Sequence, residues 1–317
     1  MTTTIFIDGE EGTTGLQIRE RLKGRAELDL INLTKERRKD LKARSEALNA
    51  ADVAILCLPD EAARDAVAMI DSDTTRVIDA STKHRVDSGW IYGFPEMFSG
   101  HRENVSVASR VTNPGCYPTG AVGLIRPLVD AGILPRSHPV TINAISGFSG
   151  GGKALIERMK NSSVDDAISS NWFGYGLGLA HKHVPEIQLY GGLENAPLFV
   201  PSVGRFEQGM VVQVPLPLWG LKKKPTVNDL REVMAQYYHS QHFVSVANAE
   251  ETANHEAKLD PEELNGTNHM RLYVFGNDDT NQALLAAQLD NLGKGASGQA
   301  VQCLNLMLGL DESTGLR

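Results

Sequence analysis

Ile5-Phe6-Ile7-Asp8-Gly9-Glu10-Glu11-Gly12-Thr13-Thr14-Gly15-Leu16-Gln17-Ile18-Arg19-Glu20-Arg21-Leu22 decides the fold of this chain. Thr4 to Asp8 reads as a strand and Leu16 to Leu22 has helical spacing, with three glycines between them. Strand, glycine loop and helix in that order open a dinucleotide-binding α/β unit. Gly9, Gly12 and Gly15 let the backbone approach a pyrophosphate, and the N–H groups at Thr13 and Thr14 begin a helix whose positive end favours an anion. The spacing is Gly-x-x-Gly-x-x-Gly rather than the commoner Gly-x-Gly-x-x-Gly.

Outward from this loop the same rhythm repeats. A second strand from Leu28 to Leu33 ends at Thr34, where an NAD site often carries an acid for the ribose 2′-hydroxyl. Here Thr34-Lys35-Glu36-Arg37-Arg38-Lys39 follows instead. The hydroxyl of Thr34 and the charge of Arg37 suit a 2′-phosphate, so NADP(H) is the expected cofactor. Val53 to Leu58 is a continuous apolar run, as in a strand buried on both faces. A helix is expected over Asp60 to Ile70, a strand over Arg76 to Ala80 and another over Val105 to Ser109. The fold class is therefore α/β, a doubly wound parallel (Rossmann) sheet.

That last strand leads into Val111-Thr-Asn-Pro-Gly-Cys116-Tyr-Pro-Thr-Gly120, ahead of a helical stretch from about Tyr117 to Asp130. A thiol at that point meets amide N–H groups and the positive end of a helix, which favour thiolate. Thiolate is a strong nucleophile toward acyl carbons. Buried structural cysteines are common, but turn-makers frame this one on both sides. Cys116 lies at the carboxyl edge of the expected sheet, where thiol and nicotinamide would meet in one cleft.

Beyond about Pro139 the pattern changes to longer strands with antiparallel character: Val140 to Ile145, Leu198 to Val203, Gly209 to Pro215 and Met270 to Gly276. With helices near Lys153 to Lys160 and Val227 to His239, this reads as a second, α+β substrate and dimerisation domain. The expected division is 1–116 for cofactor and 117–296 for catalysis and oligomerisation. The segment 297–317 returns as a helix to the first domain. Three groups here bear on chemistry. His181-Lys-His183-Val-Pro-Glu186 could supply an acid–base imidazole, and the sequence leans to His183 because it abuts Val-Pro-Glu. Ser146-Gly-Phe-Ser149-Gly150 offers hydroxyls and N–H groups to a substrate. Arg85, after the strand ending near Asp79, could clamp an anion.

Composition limits the alternatives. A net charge of −8 argues against a nucleic-acid partner. No apolar run approaches the roughly 20 residues of a membrane span, and the first residues lack signal-peptide character. Three dispersed cysteines suit a reducing compartment. No His/Cys cluster has zinc-like spacing, so no metal is expected.

The cysteine signature resembles that of N-acetyl-γ-glutamyl-phosphate reductases. Further stretches are similar to the same family along nearly the whole chain. They are Gly9 to Gly15, Tyr92-Gly-Phe-Pro-Glu96, Ser146 to Gly150, His181 to Glu186 and Asp290-Asn-Leu-Gly-Lys-Gly-Ala-Ser-Gly-Gln-Ala-Val-Gln302. The chain looks like the shorter subgroup, related to aspartate-semialdehyde dehydrogenases. It departs at Cys303-Leu304-Asn305, where Asn-Met-Asn is expected, and at Gln208-Gly209, where many members have Arg-Gly. The resemblance implies NADPH-dependent reduction of an acyl phosphate to a semialdehyde in arginine biosynthesis, through a thioester on Cys116. It also implies a cytoplasmic homo-oligomer. Within it, Asn113 is expected to touch substrate and Asn291 the cofactor. Rival readings are another acyl-phosphate reductase, or a dinucleotide sensor that never turns over.

Overall fold

Alternation along β1 (Thr3–Asp8) sends Ile5 and Ile7 into one apolar cluster and Phe6 into another, so both faces of its sheet are covered. The computed structural model describes residues 2–317. It separates into two units. The first comprises the chain up to Pro95, with Gly100–Gly115 and Ala296–Leu316. After β1 come α1 (Thr13–Leu22), β2 (Leu28–Ile31), α2 (Leu41–Ala50), β3 (Val53–Leu56), α3 (Asp60–Ala68) and β4 (Arg76–Asp79). They are followed by β5 (Ile91–Tyr92), α4 (His101–Val107) and β6 (Arg110–Thr112). The sheet runs β2-β1-β3-β4-β6-β5, with every pair parallel.

One face of this sheet buries Ile5, Ile7, Val53 and Ile55 against Ile18 and Leu22 of α1, Val105 of α4, and Val301 and Leu304 of the last helix, Gly298–Met307. The other face buries Phe6, Ala54 and Leu56 against Leu48 of α2 and Ala66 of α3. Such double coverage is what a continuous apolar strand requires. One expectation fails here. Val105 to Ser109 is not a strand but the end of α4 and the turn after it. His101 and Val105 are buried four residues apart, on one helical face, and the strand is the next segment, β6.

The second unit comprises Glu96–Ser99, Cys116–Gly295 and Arg317. Its elements are α5 (Cys116–Asp130), β7 (Thr141–Gly147), α6 (Gly152–Lys160), β8 (Trp172–Gly174), α7 (Val184–Tyr190) and β9 (Leu198–Gly204). Then come β10 (Met210–Pro217), α8 (Val227–Tyr237), β11 (Val244–Val246), α9 (Ala249–Ala253), β12 (Met270–Asn277) and β13 (Gln282–Leu289). The last helix, Gly298–Met307 of the first unit, is α10. The mixed sheet runs β11-β12-β13-β10-β7-β9-β8. Beside its central strand β10 lies a strand the sequence reading does not find. Gln282-Ala-Leu-Leu-Ala-Ala-Gln-Leu289 is rich in helix formers, yet it pairs along its whole length with β10 on one side and β12 on the other. Pairing and burial override propensity there. The apolar α5 packs against β10 and β13, which sets the helix headed by Cys116 on the sheet.

Candidate active site

Cys116 is the first residue of α5. The turn before it is held within the first unit. The Asn113 N–H donates to the Asp79 carbonyl at 2.7 Å, and its own carbonyl accepts from Arg85 Nε at 3.0 Å. Its side-chain Nδ2 donates to the Ala296 carbonyl at 3.0 Å. A helix leaves its first N–H groups without helical acceptors and carries a partial positive charge at that end. In α5 no acidic side chain occupies the first turn to neutralise that end. Pro118 is tolerated there because the missing N–H would have had no helical acceptor.

Around the thiol the second unit supplies rings. Tyr117 donates its hydroxyl to the Ser202 carbonyl at 2.9 Å and packs edge-on against Phe199. Its hydroxyl also shares hydrogen bonds with Tyr175 and Ser146. The His181 and His183 rings lie with centroids 4.7 Å apart. His181 touches Tyr175 at 5.5 Å, Phe199 at 5.2 Å and Tyr117 at 6.4 Å. Burial pushes Tyr175 up to about 12 and Tyr117 well above the ordinary phenol value, and charge at Cys116 raises both further. Both phenols are therefore within electrostatic reach of the thiol and stay protonated donors at neutral pH.

The two histidines differ. His183 is buried at the N-cap position of α7, with no side-chain cap bond to that helix. His181 is half-buried, and its Nδ1 accepts from the His183 N–H at 3.2 Å, which leaves the ring proton of the neutral form on Nε2. Burial, then the neighbouring Lys182, lowers its pKa below the usual imidazole value. An imidazole that is neutral near pH 7 and partly open is the better acid–base candidate.

In the first unit the glycine loop is shaped for close approach. Gly9 has φ +84°, and a Cβ there would stand 2.4 Å from the Cys57 carbonyl oxygen. A Cβ on Gly15 would stand 2.6 Å from the Gly9 carbonyl oxygen. Gly12 sits at the N-cap of α1 with no side chain to cap it, so the Thr13 and Thr14 end of the helix suits an anion. The basic run beyond β2 divides its work. Arg37 projects to Glu46 on the exposed side of α2, at 3.4 Å, and the Thr34 hydroxyl bonds Glu36. Arg38 instead bridges the end of β2 and the glycine loop, from the Leu33 carbonyl at 3.2 Å to Glu10 at 2.8 Å and to Glu11. The sequence reading names Arg37; geometry favours Arg38. A buried acceptor, Asn113 Oδ1, has no hydrogen-bond partner among the described residues, as expected where a ligand donor is missing. Glycine cradle, helix end and basic bridge together fit a phosphorylated dinucleotide, while Asn113 Oδ1 stays open for the expected substrate contact.

Other expected contacts move. Arg85 is 7% exposed and holds the Asn113 and Ala80 carbonyls, so it braces the turn rather than presenting a clamp. Asn291, expected at the cofactor, is held by partners of its own unit. It lies buried in the second unit, accepting from the Gly209 N–H at 2.8 Å and donating to Ser149 Oγ at 3.0 Å. Ser149 is thereby tied into the fold, whereas Ser146 stays beside the Tyr117 hydroxyl, and Gly150 lies over Ser146 and Asn291. The sequence reading misses Tyr117 and Tyr175 as site residues, although Tyr117 stands in the cysteine signature and Tyr175 among the glycines before His181. The other thiols are poor nucleophiles. Burial, then Asp79 and Asp8, pushes Cys57 up to about 12, and Cys303 is buried against the Gly93 carbonyl.

Residues 4–105 match the family described as semialdehyde dehydrogenase, NAD binding domain, and residues 116–291 match the semialdehyde dehydrogenase dimerisation domain. An N-acetyl-gamma-glutamyl-phosphate reductase 2 of a Nostoc species is 52% identical over 317 residues, 98% of each chain. The corresponding reductase of Brucella anthropi is 52% identical over 310 residues, 98% of this chain and 99% of that one. The chain belongs to the N-acetyl-γ-glutamyl-phosphate reductase family. Its fold is that of the semialdehyde dehydrogenases. The aspartate semialdehyde dehydrogenase II of Vibrio cholerae superposes with TM-score 0.71 at 15% identity, over 98% of this chain and 99% of that one. That of Candida albicans, solved with NADP, gives TM-score 0.64 at 12% identity over 97% and 99%. No helix of the described residues is long and apolar enough to cross a membrane.

Proposed function

We propose that this reductase converts N-acetyl-γ-glutamyl phosphate to the semialdehyde and phosphate with NADPH, through a thioester on Cys116. The observation that carries the reading is Cys116 at the head of α5, with Tyr175 and Tyr117 in electrostatic reach, in a chain of this family. The thiolate attacks the acyl carbon, an oxyanion forms, and phosphate leaves with the bonding electrons of the C–O bond. Amide N–H groups of the first turn of α5, with the positive end of that helix, are the donors that fit the oxyanion. Bound NADPH supplies the hydride that reduces the thioester.

Hydride transfer leaves an oxyanion, to which His181 would give its Nε2 proton and from which it would take that proton back as the C–S bond breaks, so that the aldehyde forms and Cys116 returns to thiolate. Gly9 to Gly15 would hold the pyrophosphate and Arg38 the 2′-phosphate. Asn113 Oδ1 would accept from an amide of the ligand. Ser146 and the Tyr117 hydroxyl offer a polar lining for the substrate's acyl end. The dimerisation domain supports a homodimer, and a biosynthetic reductase without a membrane-crossing helix fits the cytoplasm. Aspartate semialdehyde dehydrogenase activity is the rival suggested by the fold. Running the reaction backwards with each semialdehyde, NADP⁺ and phosphate separates the two. The proposal requires N-acetylglutamate semialdehyde to be oxidised far more efficiently than aspartate semialdehyde.

A further inference from the structure

Two stretches that mark the family take no part in the chemistry above: Tyr92-Gly-Phe-Pro-Glu96 and Asp290 to Gln302. In the second unit they meet. Lys294 Nζ donates to both carboxylate oxygens of Glu96, at 2.8 and 2.8 Å, and both side chains are 0% exposed. The ammonium also stands 5.7 Å from the centre of the Phe243 ring. An ion pair removed from water this completely is costly to keep, and apolar replacements of similar volume are often as stable. Stability alone is a weak account of it.

Its neighbour in the chain suggests a task. Residues 293–297 form a wide, π-type helical turn, a distortion that recurs at functional sites. Within that turn Gly295 packs on the nucleophile: a Cβ there would stand 2.8 Å from Cys116 Cβ and 3.3 Å from its Cα. The turn is pinned at its start, where the Gly295 N–H donates to the Asp290 carbonyl at 2.9 Å. Asp290 in turn accepts from the N–H groups of Leu292 and Gly266, both at 2.8 Å. From this turn the Lys294 side chain reaches the carboxylate of Glu96.

We infer that the buried Glu96–Lys294 pair positions the nucleophile, fixing the depth at which Gly295 presses on Cys116 and so the direction of the thiol. Glu96 and Lys294 are positioning residues, acting through Gly295. The inference rests on the reading of Cys116 as nucleophile, and its test is independent of the substrate. Three variants serve: Glu96→Asp, which keeps both charges but shortens the reach by one methylene; Glu96→Gln with Lys294→Met, which leaves no orphaned charge; and Gly295→Ala. For each, thermal unfolding checks the fold. Iodoacetamide alkylation of Cys116 is followed against pH by peptide mass spectrometry, and kcat and KM are measured separately.

Small misplacements of a reacting group cost about ten- to a hundredfold. The folded variants should therefore alkylate Cys116 slower by about that factor, with kcat lowered in step and KM within roughly twofold of wild type. A purely structural pair would lower the unfolding temperature and leave alkylation of the folded protein unchanged. Wild-type alkylation in either folded charge-pair variant overturns the inference. If the double variant does not fold, Glu96→Asp decides alone. Retained turnover in Cys116→Ser would instead overturn the nucleophile assignment, whatever the alkylation rates show.

Discussion

At Cys116 the chemistry depends on one sulfur atom. Cys116→Ser should lower turnover by about a thousandfold or more, because a serine hydroxyl does not ionise usefully without a strong activating base. NADPH affinity, measured by fluorescence titration, should stay within a few-fold, since the glycine loop belongs to the other unit. A variant keeping a tenth of wild-type turnover would contradict the covalent step. The histidines offer a second test at this scale. His181→Ala should reduce kcat by about 10²–10⁴, the usual range for acid–base help, whereas His183→Ala should lower the unfolding temperature with a smaller effect on kcat. Burial disfavours the charged imidazole of His181, so in the folded protein it takes up its proton only below the ordinary value of about 6.5. Activity should thus hold through neutral pH and fall on the acid side as pH drops through that lowered value. An acid limb in kcat/KM that survives His181→Ala would reassign the proton carrier. Which histidine serves is not legible in His181-Lys-His183, because the difference lies in what covers each ring.

Among the elements, the loop after β2 is the one proposed to govern cofactor choice. Arg38 spans from the Leu33 carbonyl to the glycine-loop carboxylates, while Arg37 stands out toward Glu46. Arg38→Ser should weaken NADPH binding by about ten- to a hundredfold, the loss of roughly 1.5–3 kcal/mol for a charge-assisted contact, and leave NADH binding nearly unchanged. Arg37→Ser should do little. Titration of both cofactors against both variants checks this, and equal losses in the two would sink the assignment. The helix after that loop carries a structural pair: Arg44 of α2 meets the buried Asp8 of β1 at 2.8 Å. Arg44→Met leaves that carboxylate buried without its partner and should cost about 3–5 kcal/mol in denaturant unfolding. The elements that could be read from the sequence are those whose period and burial agree, such as β1, β3 and α5. Val105 to Ser109 misleads because its apolar residues fall at the end of a short helix. β13 is hidden because Ala and Leu carry no strand signal until β10 and β12 flank them.

For the molecule as a whole, the two-part architecture was legible because apolar runs separated by helices give way to longer alternating strands. What the sequence does not contain is distance. Asn291 carries a functional residue type in a signature stretch, yet its amide bonds Ser149 and Gly209, and Arg85 holds the Asn113 and Ala80 carbonyls. Conversely Glu96 and Lys294, 198 positions apart, become partners only once the chain has folded. A dimerisation domain at residues 116–291 leads us to expect a homodimer by light scattering at micromolar protein, and a monomer there would contradict it. The most direct test of the central claim is phosphate-dependent reduction of NADP⁺ by N-acetylglutamate semialdehyde, followed at the nicotinamide absorbance. The account predicts turnover that requires phosphate, is lost in Cys116→Ser and far exceeds that with aspartate semialdehyde; turnover independent of phosphate, or undiminished in that variant, would contradict it.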